Sequence, residues 1–209
     1  MKGCSTISIT LPIVVSLLLF LVTNIETCSA SKKNPNTITN TTKFIKASCS
    51  CTTYPKLCIK SLSVYSNKIK TNYTMLTYVA LSVSLTKAEK TSKTVTKIAR
   101  RQDIKPSDAM AIKDCVENIS DSIDELRDSL NEMNSLDQTD FDFKLSNIKT
   151  WVSAALTDDD TCMEGLGEED VKGDARIIIR KNVVKTAQLT SNALAIVNGL
   201  KYKPKRSHH

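Results

Sequence analysis

Seven cysteines, two histidines and a run of three aspartates are the side chains in this sequence with chemistry to offer. Cys49 and Cys58 flank Tyr54-Pro55 in the stretch ASCSCTTYPKLC at 47–58. Proline fixes its own φ and pushes the preceding residue out of the helical region, so a turn is expected there. A disulfide across that turn would staple two short helices into a hairpin, worth about 2.7 kcal/mol by loop-closure entropy. The other reading is a pair of buried free thiols, the common state inside a cytosolic bundle. The compartment chooses between them.

Both histidines, His208 and His209, stand at the C-terminus, which excludes a Ser-His-acid or Cys-His centre within the fold. Four-ligand zinc has no convincing set, because the cysteines are better used in bridges. Asp158, Asp159 and Asp160 lack the ligand spacing of a calcium loop and read as a solvated helix-to-loop junction. As a catalytic carboxylate pair, Asp158 and Asp160 come with no legible base or pocket. A cavity for an apolar ligand beside Trp151 is a weaker reading than plain core. No phosphate-binding loop is present. The expectation is a protein that works by binding, with no cofactor, no metal and no enzymatic activity.

The N-terminus settles the compartment. Lys2 precedes an apolar run of about twelve residues, LPIVVSLLLFLV at 11–22, and small residues follow at Cys28, Ser29 and Ala30. This is the pattern of a secretory signal peptide spanning residues 1–30, and the run is too short for a membrane span of about twenty residues. Removal of Cys4 and Cys28 leaves five cysteines, which should pair in an oxidising compartment with one left over. Sequons at Asn40, Asn72 and Asn118 agree with secretion and are candidate glycosylation sites.

The elements that must carry these groups are helices. Five glycines and five prolines in 209 residues favour long uninterrupted segments. Residues 31–43 are rich in Ser, Thr, Asn and Lys and read as a flexible arm. The stapled hairpin follows at 44–70, with Phe44, Ile45, Leu57, Leu62 and Val64 inward. Asn72 can cap a helix running to about Arg101, with Leu81, Leu85, Ala88, Ser92, Val95 and Ala99 on one face. Pro106 suits the first turn of a third helix, where Ile112, Val116, Ile119, Ile123, Leu126, Leu130 and Met133 alternate four and three. A fourth helix at about 143–157 buries Leu145, Ile148, Trp151, Val152 and Ala155. A last helix at about 174–198 buries Ile179, Val183, Ala187, Thr190, Leu194 and Val197 before Gly199 stops it. The fold class is all-α: an antiparallel up-and-down four-helix bundle with an N-terminal disulfide-stapled α-hairpin. A Cys115–Cys162 bridge would tie the third helix to the end of the fourth, worth about 4 kcal/mol. Residues 201–209 read as a basic, disordered tail.

The net charge of +7 is unevenly spread. Residues 43–101 are strongly basic with Glu89 as their single acid, whereas residues 114–142 are acidic with Arg127 as their single cation. Such a molecule is dipolar and its field can steer a charged partner.

Four segments in order, SCSCTTYPKLC at 48–58, DCVENISDSIDELRDSL at 114–130, TWVSAALTDDDTC at 150–162 and QLTSNALAIVNGL at 188–200, resemble the plant invertase/pectin methylesterase inhibitor family. The resemblance covers residues 44–200 and implies that Cys49 pairs with Cys58 and Cys115 with Cys162, leaving Cys51 over. It implies a secreted, extracellular inhibitor of the cell wall (apoplast) that lies over an enzyme's substrate cleft one-to-one and does no chemistry itself. Invertase inhibitors typically carry Pro-Lys-Phe before the cysteine of the fourth helix. The segment here, TDFDFKLSNIKTW, lacks it, so pectin methylesterase is the expected target and acid invertase the alternative. Ile119 stands where the family commonly has Tyr. By position, Thr86, Lys90 and Lys93 on the second helix, Glu117, Asp121 and Asp128 on the third, and Thr161 beside Cys162 are the expected partner-binding residues. The acidic third helix is the better mimic of a polyuronate substrate and is expected to face the cleft. The basic half is expected to associate weakly with pectate. Nucleic acid and membrane are not expected partners of the mature chain.

Overall fold

The computed structural model describes residues 37–137, 139–167 and 173–201, and every regular element among them is helical. The elements are α1 (Thr37–Cys49), α2 (Pro55–Ser63), α3 (Ser66–Ile69), α4 (Tyr73–Ala99), α5 (Pro106–Asn134), α6 (Phe141–Gly165) and α7 (Asp174–Asn198). The four long helices close into a square in which α4 packs on α5 and α7, and α6 packs on α5 and α7. Their directions alternate, so the end of α4 meets the start of α7 through Arg101 and Asp174, and Lys144 near the start of α6 reaches Ser135 just past α5. This is the expected antiparallel bundle.

Local chemistry places the helix ends. The Asn72 side chain accepts from the Met75 N–H at 3.0 Å and caps α4, while Pro106 occupies the first turn of α5 where no donor is needed. Gly199 closes α7 in a right-handed conformation (φ −82°) and not the left-handed one its identity suggested. Its lack of a side chain serves a close approach, since a Cβ there would overlap the Tyr73 hydroxyl.

α1 and α2 form the expected hairpin, bridged by Cys49–Cys58 with Cα atoms 5.6 Å apart. It docks at one end of the bundle through the buried Asn192 of α7. The Asn192 amide donates to the Tyr54 carbonyl (3.1 Å), and its oxygen accepts from the Tyr54 N–H (3.0 Å), so both backbone groups of the turn are satisfied by one side chain. Phe44 meets Tyr73 of α4 edge-on, with centroids 6.3 Å apart.

Several expectations are corrected. The arm over 31–43 is helical from Thr37 onward, with Thr41 buried, because Phe44 and Ile45 anchor its last turns in the core; residues 31–36 lie outside the described residues. Val64, expected inward, is 77% exposed at the end of α2, and Ile69 of α3 takes the buried position instead. On α4 the buried face carries Ser84, Thr91 and Ile98 where Leu85, Ser92 and Ala99 were expected. Two buried hydroxyls explain the shift: Ser84 bonds the Ala80 carbonyl (3.2 Å) and Thr91 pairs with Thr186 of α7 (2.9 Å), so neither is left unsatisfied. α6 begins at Phe141 and continues through the aspartate run to Gly165, two turns beyond the expected stop.

Candidate partner-binding surface

The α5 heptads turn Ile112, Ile119, Leu126 and Met133 into the core, which leaves the acids between them for the outside. Asp121, Glu125 and Asp128 follow at helical spacing on the side that meets α6, where Asp158 joins them. Partial burial, then the charge of Asp158, with Asp121 and Asp128 adding to it, raises the Glu125 pKa above the ordinary range. Asp158 is raised likewise by burial and by Asp121. Glu125 Oε2 is enclosed without a hydrogen-bond partner. Arg127 does not relieve the cluster, because it pairs with Asp124 (2.5 Å) and with Glu89 on α4 (3.4 Å). The Cys115–Cys162 bridge, Cα atoms 4.3 Å apart, clamps the same two helices.

Behind this cluster lies Asp159, expected in solvent and found fully buried. The register explains it: Ile148, Val152, Ala155, Asp159 and Cys162 continue one inward face. Its carboxyl meets Ser122 of α5 at 3.5 Å and Thr190 of α7 at 3.4 Å. Burial pushes its pKa up to about 8, and the neighbouring charges of Asp160 and Asp158 push the same way; the two long hydroxyl contacts oppose them only in part. At neutral pH and below, Asp159 is a neutral acid inside the bundle.

The opposite side, α4 and α7, is cationic. Lys87 donates to the Asn182 side chain of α7 at 2.7 Å, and its pKa is lowered by burial and by the charges of Lys185 and Lys90. Lys93, Lys97 and Arg100 line an open depression of about 360 Å³ with Ser92 and Thr96.

The seven expected partner-binding residues therefore do not form one patch. Asp121 and Asp128 gather with Glu125 and Asp158 at the α5–α6 edge. Lys90 belongs to the α4–α7 edge beside Lys87 and Lys185, with Lys93 in the adjoining depression. Glu117 is exposed and pairs with Lys113 at 3.6 Å; Thr86 and Thr161 are exposed and donate to the Ser82 and Thr157 carbonyls. Glu125 and Asp158 were missed because their importance lies across two helices. Of the sequons, Asn72 is exposed while Asn40 and Asn118 are half-buried. Cys51, expected to be left over, is disulfide-bonded as well. Among the described residues, no group of three or more His, Cys, Asp and Glu is placed to hold a metal, and no helix is long and apolar enough to cross a membrane.

A family model described as plant invertase/pectin methylesterase inhibitor matches residues 43–196. The chain belongs to this family. The family's role is inhibition and not catalysis. The chain is 42% identical over 166 residues to a carrot (Daucus carota) 21 kDa protein, covering 78% of this chain and 86% of the carrot protein. It is 38% identical over 198 residues to pectinesterase inhibitor 9 of Arabidopsis thaliana, covering 92% of this chain and 96% of that inhibitor. The crystal structure of a mutant form of an Arabidopsis pectin methylesterase inhibitor superimposes with a TM-score of 0.61 at 22% identity, covering 74% of this chain and 95% of that one, a likeness of fold.

Proposed function

We propose that this protein is a secreted inhibitor of pectin methylesterase that binds the enzyme one-to-one and covers its substrate cleft with the α5–α6 side. The observation that carries the reading is the near full-length similarity to pectinesterase inhibitor 9, supported by further Arabidopsis pectinesterase inhibitors at 35–42% identity. The missing Pro-Lys-Phe motif agrees with this target. Electrostatics support the choice of side. Asp121, Glu125, Asp128 and Asp158 form a carboxylate row without a salt bridge among the described residues, resembling the de-esterified polymer that such a cleft must accommodate. A cleft that offers cations to this row gains favourable pairs and relieves the repulsion within it. Residues 1–30 act as the export signal, and the mature inhibitor works in the cell wall.

Titration against purified pectin methylesterase and acid invertase tests the reading. The expected outcome is loss of esterase activity that saturates at one inhibitor per enzyme, with invertase unaffected. Inhibition of invertase alone would replace the target, and saturation at any other ratio would remove the cleft-covering arrangement.

A further inference from the structure

The bundle has two faces of opposite sign, and the proposed function uses one of them. α4 and α7 together carry eight Lys and Arg against two acids, Glu89 and Asp174. Both acids are already engaged, Glu89 with Arg127 and Asp174 with Arg101. Lys90, Lys93, Lys97, Arg100, Lys181 and Lys185 are exposed and form no ion pair among the described residues. Lys185 and Lys90 stand close enough to Lys87 to repel it.

We propose that the α4–α7 side binds a linear polycarboxylate, the de-esterified polyuronate that a pectin methylesterase produces. The polymer's identity rests on the inhibitor reading; the requirement for a regularly charged polyanion rests on the surface itself. Lys90, Lys93, Lys97 and Arg100 advance by three, four and three residues, which at 1.5 Å per residue sets cations roughly 4.5–6 Å apart along the helix axis. A ladder of that kind meets successive carboxylates of an extended chain. Lysine suits it as a mobile point charge that tolerates shifts in register. On the outer side of α4, the depression lined by Lys93, Lys97 and Arg100 of this row adds the Ser92 and Thr96 hydroxyls, which match sugar hydroxyls. A single exposed pair contributes little, but a repeating polymer engages many at once. Because α4–α7 lies opposite α5–α6 in the square, polymer and enzyme can be held together. The inhibitor would then collect where de-esterification has already occurred, restraining the enzyme at its own product.

Equilibrium binding of the full chain to polygalacturonate and to fully methyl-esterified polygalacturonate, without any enzyme, tests this. Expected are salt-sensitive binding to the first, none to the second, and at least tenfold weaker binding for the Lys97→Glu, Arg100→Glu, Lys181→Glu triple variant. Neutralising Lys201, Lys203, Lys205 and Arg206 should change affinity by less than about threefold, since the proposed site lies on α4 and α7. Equal binding to both polymers, full retention by the triple variant, loss on neutralising the tail alone, or tighter binding to single-stranded DNA under the same conditions would each overturn the proposal. Esterase inhibition is read separately on a small soluble ester: a triple variant that still inhibits but no longer binds polymer separates the two functions. Polymer binding without any inhibition would count against the inhibitor reading alone.

Discussion

The α5–α6 and α4–α7 pairs are built alike, from helices of 25–29 residues buried along one stripe, yet they are joined by different means. α5 and α6 carry mutually repelling carboxylates and are held by the covalent Cys115–Cys162 bond in addition to polar contacts, Asn147 to Glu132 and Ser122 to Asp159. α4 and α7 carry mutually repelling cations and are held by polar contacts, Thr91 to Thr186, Lys87 to Asn182 and Arg101 to Asp174. A single-sign surface costs stability through self-repulsion, and each pair offsets that cost locally. The lesson is that the apolar core of this bundle is shared, whereas the charged surfaces that meet partners each need their own fastening.

The largest effect should come from removing the covalent fastening. Cys115→Ser with Cys162→Ser opens a loop of 47 residues and should lower unfolding free energy by about 4 kcal/mol, measured by urea denaturation. Loss of less than about 1 kcal/mol would mean that the acidic pair holds itself, and the contrast between the two sides would fail.

Next comes Asp159, the acid shared between α5, α6 and α7. Its folded pKa is raised, so the native state keeps a proton that the unfolded chain releases above about pH 4. Its contribution is therefore fully present below the unfolded pKa and lost as pH rises towards about 8. The charged groups bearing on it, Asp158 and Asp160, are anions, and from α5 and α7 it meets the hydroxyls of Ser122 and Thr190. Glu125 and Asp158, both raised, act in the same direction. Thermal melts should show stability falling by about 2 kcal/mol from pH 5 to pH 7, within the limit of about 1.4 kcal/mol per pH unit for one proton. Asp159→Asn should flatten that slope. A parent whose stability rises over this interval, or an Asn variant with the parent slope, would show Asp159 to be charged in the fold.

The smallest of the three effects concerns the surface alone. Reversing Asp121 and Asp128 together to Lys should weaken inhibition of pectin methylesterase at least tenfold, about 1.4 kcal/mol in binding. It should leave the melting temperature within a few degrees, since exposed charges contribute little to folding. Unchanged inhibition by the double variant would move the enzyme-binding surface elsewhere on the bundle.

By itself, the sequence determined the four long helices and their order. Apolar residues at alternating four and three spacing admit one inward stripe on α5, and Pro106 and Asn72 mark helix starts by backbone chemistry that acts locally. The pairing of Cys49 with Cys58 and of Cys115 with Cys162 was what the family resemblance implied, and both bridges are present. Only the tertiary structure decided what the aspartate run became. Three successive acids read as a helix end because local propensity prefers them solvated, but the inward register from Ile148 to Cys162 carries Asp159 into the core, where hydroxyls from two other helices receive it. The same holds for the stripe on α4: Ser92 and Thr91 are near equals in a one-dimensional pattern, and Thr91 turns inward because Thr186 across the interface satisfies its hydroxyl. Glu125 and Asp158 lie 33 positions apart in the chain and acquire their shared charge problem only once α5 and α6 are clamped side by side. Periodicity acts within a helix and is legible in sequence; burial of a polar group depends on its partner across a helix interface, and that partner exists only after folding.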